Sequence, residues 1–358
     1  MRRLTDTKSG AVVKPMYSAV QAWNADESLL ILYHTGEQGA GHSLYDGRTY
    51  RYLRELDIRP ADLEQVYWDT HDPDVFYYVD NYYEGSRRVL IRYHVGAGRR
   101  EVMHSFACSG AVAADSHGFT SWDSRVLGLL CRGDHGERYA FVYDIVSGSE
   151  GPHRPSSAGG APLSAPSGTL FYLHGKVLGR DLQEVRALDV GEPTEHSSLG
   201  RLANGHDTYN EASFDGRHVG SLVTHDMTDG SVRVVIGRAT GFSHQPSGTH
   251  VSALAFQRPG WVALSSVGAP PHTPRTLDQE IYLANTDPGS TRVCRVAHHR
   301  SWGGEGHLGY WAEPHVVISP TGTRLLFGSD WGGGTSVDTY VVELPSFSGG
   351  SGVSASKQ

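Results

Sequence analysis

The sequence predicts an all-β protein, a seven-bladed β-propeller, and three observations carry that expectation. A strand-turn-strand unit, clearest in Glu313-Pro314-His315-Val-Val-Ile-Ser-Pro-Thr-Gly-Thr-Arg-Leu-Leu-Phe-Gly-Ser-Asp330, recurs in degraded form along the chain. Copies begin near Tyr17, Tyr67, His117, Ala161, His206, His250 and His315. Their spacing is roughly the 40 to 50 residues of one propeller blade, with a longer interval after His250. The 44 Gly and 18 Tyr suit many turns between aromatic-rich strands. At 358 residues the chain exceeds what one compact core usually fills, whereas a radial array shares burial between neighbouring blades.

Taken in order, blade one is expected from Met16 to Leu53, with Ala25-Asp26-Glu27-Ser28 as its first turn, and blade two from Gln65 to His104. Blade three follows from His117 to Val146. Blade four, Ala161 to Leu188, is the shortest, and the Pro/Ser/Gly stretch 151–166 before it reads as a loop. Blade five runs from His206 to Phe242 and blade six from His250 to Ala297, with an exposed insertion over 268–276. Blade seven starts at His315 and supplies only three strands. Arg2-Arg3-Leu4-Thr5 resembles the outer-strand segments Arg99-Arg100-Glu101-Val102-Met103 and Arg292-Val293-Cys294-Arg295-Val296, so it is expected to complete blade seven and close the ring. One domain is expected over 1–345, and the Gly/Ser-rich end 346–358 reads as a flexible tail.

Composition bounds the function. A formal net charge of −8 gives no general attraction to nucleic acid or anionic membranes, although 20 His can make a local site basic. No apolar run approaches a membrane span, and the N-terminus lacks the apolar core of a signal peptide. The protein is therefore expected in the cytoplasm, or exported without a recognisable signal. Cys108, Cys131 and Cys294 are odd in number and lack metal-ligand spacing, so they are expected to be core thiols. A nucleophile elbow, a phosphate loop and a dinucleotide fingerprint are all missing from the sequence.

Aligning the units sets Tyr17, His117, His206, His250 and His315 at or just before the innermost strands, which line the central channel. His206, His250 and His315 with Glu313 then form an expected divalent-cation site, because neutral imidazole and carboxylate are good ligands for such ions. The competing reading has these histidines capping strands through hydrogen bonds. A second group, His298, His299, Arg300, Trp302, Glu305, His307, Tyr310 and Trp311, lies on the loop before blade seven. Its rings suit the apolar face of a sugar and its donors suit hydroxyls, or else the loop plugs the channel. His206 and Tyr209 pair an imidazole with a phenol, able to remove a proton alpha to a carboxylate and to protonate a leaving oxygen. Lys14, Arg201 and Arg300 are candidate partners for a substrate carboxylate, with a solvated surface charge as the alternative for each.

Arg3-Leu4-Thr5-Asp6, the Tyr17 to Trp23 strand, Gly205-His206, Gly248-Thr249-His250-Val251-Ser252 with Pro259-Gly260-Trp261, and Glu313-Pro314-His315 with Ser319-Pro320-Thr321-Gly322-Thr323 together resemble the oligogalacturonate-lyase type of polysaccharide-lyase propeller. The resemblance spans most of the chain. It implies a seven-bladed propeller whose funnel holds a divalent ion, manganese or calcium, on histidines. It also implies β-elimination of an acidic, uronic-acid oligosaccharide with His and Tyr as acid and base and Arg on the carboxylate. By position His250 and His315 match the metal ligands and His206 matches less well, while the run of His and Gln ligands before the last blade is replaced by Glu313-Pro314-His315. The implied site has His206, Tyr209, His117 and Arg300 in catalysis, and Lys14, Tyr17, Arg201, Trp302, Tyr310 and Trp311 on the substrate. The other class of reading is a non-catalytic propeller that binds a glycan or a protein, as in a surface or viral assembly.

Overall fold

The computed structural model describes residues 1–37, 39–115, 120–157, 159–191, 196–242, 249–268 and 276–345. Its strands form seven antiparallel sheets arranged as the blades of a propeller. The second strand of a blade is covered on both faces and reads as a continuous buried run; Val75–Tyr83, for example, buries Val75 through Asp80 between neighbouring blades. Innermost strands are short. They are Val12–Lys14, Tyr67–Trp68, Ala111–Ala113, Leu163–Ser164, Ser197–Arg201, His250–Ser252 and Val317–Ile318.

Adjacent inner strands are tied by serine hydroxyls. Ser198 Oγ accepts from Ala253 N–H at 3.0 Å and Ser252 Oγ from Ile318 N–H at 3.2 Å. The Gln21 amide donates across the channel wall to the carbonyls of Leu254 and Ile318, at 3.2 and 3.0 Å. Each bond satisfies a backbone group that the curvature of the ring leaves without a ladder partner.

The N-terminal strand closes the circle. Arg2 pairs with Val341 and Arg3 with Tyr340, so blade seven draws its outer strand from the other end of the chain. Asp338 anchors the seam, accepting from Thr5 Oγ1 at 2.8 Å, Thr7 N–H at 2.9 Å and the Arg3 guanidinium at 2.7 Å.

Four expectations need correction. Blade one begins at Val12 rather than Met16, because the inner strand starts before the bend at 15–20 and rejoins the sheet at Trp23. Blade three begins at Ala111 rather than His117. Blade five begins at Ser197, and His206 stands in the turn between its first and second strands. Cys108 and Cys131 form a disulfide rather than separate core thiols: the register that sets Val112 opposite Cys131 brings the two cysteine Cα atoms to 5.9 Å, within bridging reach. Cys294 is exposed. The proposed tail 346–358 and most of the blade-six insertion, 269–275, lie outside the described residues. No helix among the described residues is long and apolar enough to cross a membrane.

Two measurements test this account. Asp338→Ala removes the acceptor of three seam bonds, and chemical denaturation should show a loss of roughly 2–4 kcal/mol with earlier proteolysis of the N-terminal strand. His42 and His299 are buried with Nε2 on the carbonyls of Leu63 (2.7 Å) and Ser266 (2.8 Å), and burial depresses both to about 4. An unfolded imidazole titrates near 6.5, so the unfolded chain binds protons first as pH falls. The stability these two contribute is whole above about pH 6.5 and is lost between 6.5 and 4, on the order of 3 kcal/mol each. A His42→Gln/His299→Gln variant should show a flatter stability profile across that window.

Candidate metal centre

Inner strands of a propeller run in one direction, so the residues that open them share one mouth of the channel and those that end them share the other. His250 opens the blade-six strand, and Glu313 and His315 lead into that of blade seven. Local sequence sets the second pair. A short 3₁₀ turn, Gly309–Ala312, ends at Glu313, which the following Pro314 holds extended at φ −65°, ψ 135°. His315 is then left-handed at φ 46°, an uncommon state for a residue with a β-carbon, and this turns its ring back toward Glu313.

Three donors converge. Glu313 Oε2 lies 3.5 Å from His250 Nε2 and 3.6 Å from His315 Nε2, and both imidazoles are fully buried. His315 Nδ1 is 3.2 Å from the Met16 carbonyl, which assigns the proton to Nδ1 and the lone pair to Nε2, the tautomer a metal requires. Ligands held about 2.1 Å from one ion at tetrahedral angles are about 3.4 Å apart, so the spacing fits a transition ion with little adjustment. Two imidazoles and one carboxylate suit manganese or zinc better than calcium, which prefers oxygen.

Aromatic rings enclose the donors. Tyr17 meets His315 and His250 edge-on at 4.9 and 5.4 Å, and His196 stacks on His250 at 4.0 Å. Tyr310 lies 5.0 Å from the His315 ring and donates its hydroxyl to Glu64 Oε1 at 2.9 Å, so the loop before blade seven reaches over the mouth to the entrance of blade two. Trp311 packs on Tyr33 beside it. Lys14 is fully buried and donates Nζ to the Glu313 carbonyl. Burial lowers its pKa to about 7 against the opposing pull of Glu64 and Glu313. Burial also raises the Glu313 carboxyl, against Lys14, and pushes the Tyr17 and Tyr310 phenols up. Glu64, Asp115 and Glu313 all act on Tyr17, so the protein's own charge at this mouth is predominantly negative.

Of the expected residues, His250, His315, Glu313, Lys14, Tyr17, Tyr310 and Trp311 come together. Others do not. His206 lies at the opposite end of blade five with Nδ1 on Asp226 at 2.7 Å and Asp229 at 3.9 Å; Asp226 also caps the turn through the N–H groups of Thr228 and Asp229. Tyr209 is a packing residue, buried on the second strand and stacked on Tyr172 at 3.9 Å. Arg201 ends the blade-five inner strand at the far mouth. Arg300 is exposed and lies over Trp331, 5.4 Å from its ring. Trp302 rests on Gly333, where a β-carbon would not fit, and its backbone N–H donates to Asp330 Oδ1 at 3.0 Å. His117 lies outside the described residues. Sequence reasoning missed His196 and Glu64, though His196-Ser197-Ser198 repeats the pattern of His250-Val251-Ser252 and Asp62-Leu63-Glu64 leads into Tyr67.

The fold and this donor set define a seven-bladed propeller with a candidate metal centre at one mouth. Its fold is similar to that of an oligogalacturonate lyase in complex with manganese, at TM-score 0.65 and 16% identity, over 96% of this chain and 92% of that one. An oligogalacturonate lyase from Vibrio parahaemolyticus matches equally, at TM-score 0.65 and 14% identity, over 96% and 93%. Hydrazine synthase of Kuenenia stuttgartiensis matches at TM-score 0.50 and 12% identity, over 92% and 96%, so the likeness is one of fold across different chemistries. No protein-family model matches the chain, and no curated protein matches its sequence.

Metal analysis tests the centre. After equilibration with manganese or zinc and removal of excess, about one ion per chain should remain on the wild-type protein, while His250→Ala and His315→Ala should each weaken binding by about 100-fold or more. Full retention in both variants would remove the site.

Proposed function

We propose that this protein is a metal-dependent, lyase-like propeller that receives the acidic ring of a uronic-acid oligosaccharide at the His250, Glu313 and His315 mouth and cleaves it by β-elimination. The observation that carries this reading is the buried triangle of donors at a mouth whose own groups are mostly carboxylates. A uronate entering unaided meets Glu64, Asp115 and Glu313, against the enclosed ammonium of Lys14. An ion bound there supplies the positive charge that neutralises the uronate and lowers the barrier to losing the adjacent proton.

The chain's own groups then have separate tasks. His196 keeps Nδ1 on the Thr249 carbonyl at 2.9 Å, which leaves the lone pair on Nε2, and it is partly exposed where Lys14, His250 and His315 are enclosed. Its imidazole takes the proton from the carbon beside the carboxylate, the released electron pair forms the ring double bond, and the glycosidic carbon–oxygen bond breaks. The departing oxygen takes a proton from a phenol, with Tyr17 and Tyr310 both over the centre. Tyr310 and Trp311 provide faces for a sugar ring.

A second reading, binding without cleavage, is favoured by the Tyr310–Glu64 bond that spans the mouth and by Arg300 lying on Trp331 instead of over the centre. Ultraviolet absorbance of the unsaturated product separates the two. Oligogalacturonate with the manganese-loaded protein should give rising absorbance that chelator abolishes, and His196→Ala should slow it by about 100-fold or more while retaining the ion. Calorimetric binding without product across several uronates would establish the second reading instead.

A further inference from the structure

The donors of the metal centre are closed off from solvent by a residue that is not. His250 and His315 are 0% exposed, whereas Tyr310, whose ring centroid lies 5.0 Å from that of His315, is 43% exposed. One side of the phenol ring therefore lies against the donors and the other lies in water. The Lys14 ammonium sits over the same ring, 5.8 Å from its centroid. A sugar carboxylate is far larger than the space this leaves, so it does not reach His250, Glu313 and His315 while the ring stays in place.

Tyr310 is held lightly there. Among the described residues its hydroxyl makes one hydrogen bond, to Glu64 Oε1 at 2.9 Å, which ties the entrance of blade seven to that of blade two. The main-chain bonds around it are local, from the Gly309 N–H to Gly306, the Trp311 N–H to Leu308 and the Glu313 N–H to Tyr310. Gly309, just before the ring, is left-handed at φ 54° with open space where a β-carbon would stand. Its flanks are firm. Leu308 packs with Val12, Ala312 and Val337, and the Ser301 hydroxyl donates to the Ala312 carbonyl. A ring on a glycine pivot between two fixed residues, fastened by one partly solvated bond, is an element of low local stability beside a rigid one.

We propose that Tyr310 is a gate over the metal centre, latched shut by Glu64, and that breaking this bond lets the ring swing outward so that the uronate carboxylate reaches the donors. The inference deepens the proposed function and rests on it for the identity of what enters. The closed fraction lowers the apparent affinity of any ligand for the centre, so a weaker latch gives easier access.

Carbethoxylation of the metal-free protein by diethyl pyrocarbonate, with each histidine followed by peptide mass spectrometry, tests the gate. In the wild type, His250 and His315 should react at least tenfold more slowly than the partly exposed His206. Tyr310→Phe keeps the ring and removes the latch, so it should speed labelling of His315 by roughly fivefold, the factor of one hydrogen bond, and Glu64→Ala should do the same. Tyr310→Ala should speed it by tenfold or more. His42 and His299, buried elsewhere, should stay protected in all three variants. Unchanged labelling of His315 in Tyr310→Phe and Glu64→Ala would make the ring a fixed wall and overturn the proposal, as would wild-type labelling at the rate of His206 or a parallel rise at His42 and His299. Neither an ion nor a substrate takes part, so the gate and the cleavage reaction fail separately: product formation with unchanged labelling would remove the gate and keep the reaction.

Discussion

Closure of the ring is the constraint on which the rest depends. Tyr17, His250, Glu313 and His315 come from opposite ends of the chain and meet only because the strands at the axis are parallel and the circle has no gap. Arg2 and Arg3 complete the last sheet, and Asp338 holds them there through three bonds. An open edge at that seam would free both Val12–Lys14 and Asp338–Glu343 to shift, and Lys14 would lose its hold on the Glu313 carbonyl. The hydroxyls of Ser198 and Ser252 play the corresponding part between blades, because inner strands this short have few ladder bonds of their own.

Such a ring places ionisable groups where burial is costly. Two imidazoles, a carboxylate and an ammonium sit together beneath Tyr310, and their desolvation opposes charge on Lys14 and Glu313 alike. A divalent ion bound there would offset that cost for the donors that face it, and the left-handed backbone at His315 is the strain that aims one of them. Lys14 serves the same end by a different route, since its bond to a main-chain carbonyl stiffens the Glu313-Pro314-His315 turn without occupying the carboxylate.

Blade number, ring closure and the His250–Glu313–His315 set were legible because each rests on a local pattern: a repeated turn, a strand-like N-terminus, a Glu-Pro-His step before an apolar run. Errors arose where a blade's opening strand is weakly apolar. Ser197-Ser198-Leu199-Gly200-Arg201 buries small and polar residues at the axis, so the strand after it, Asp207–Ser213, was read as the inner one and His206 and Tyr209 were carried to the wrong end and the wrong layer. Ala111–Ala113 is masked in the same way. Arg300 could not be placed from sequence, because its direction follows from contact with Trp331 some thirty residues on. The Cys108–Cys131 bond is equally a product of register, which no spacing rule for isolated cysteines contains.

The same parallel strands that gather donors at one mouth must deliver their last residues to the other, so the two ends are chemically independent products of one geometry. Blade five shows the separation most plainly: His196 precedes its inner strand and stacks on His250, whereas Arg201 ends that strand in the opposite cavity. One mouth is rich in carboxylates and imidazoles and suits a cation, whereas the other sets Arg201 opposite Asp207 in the blade-five ladder.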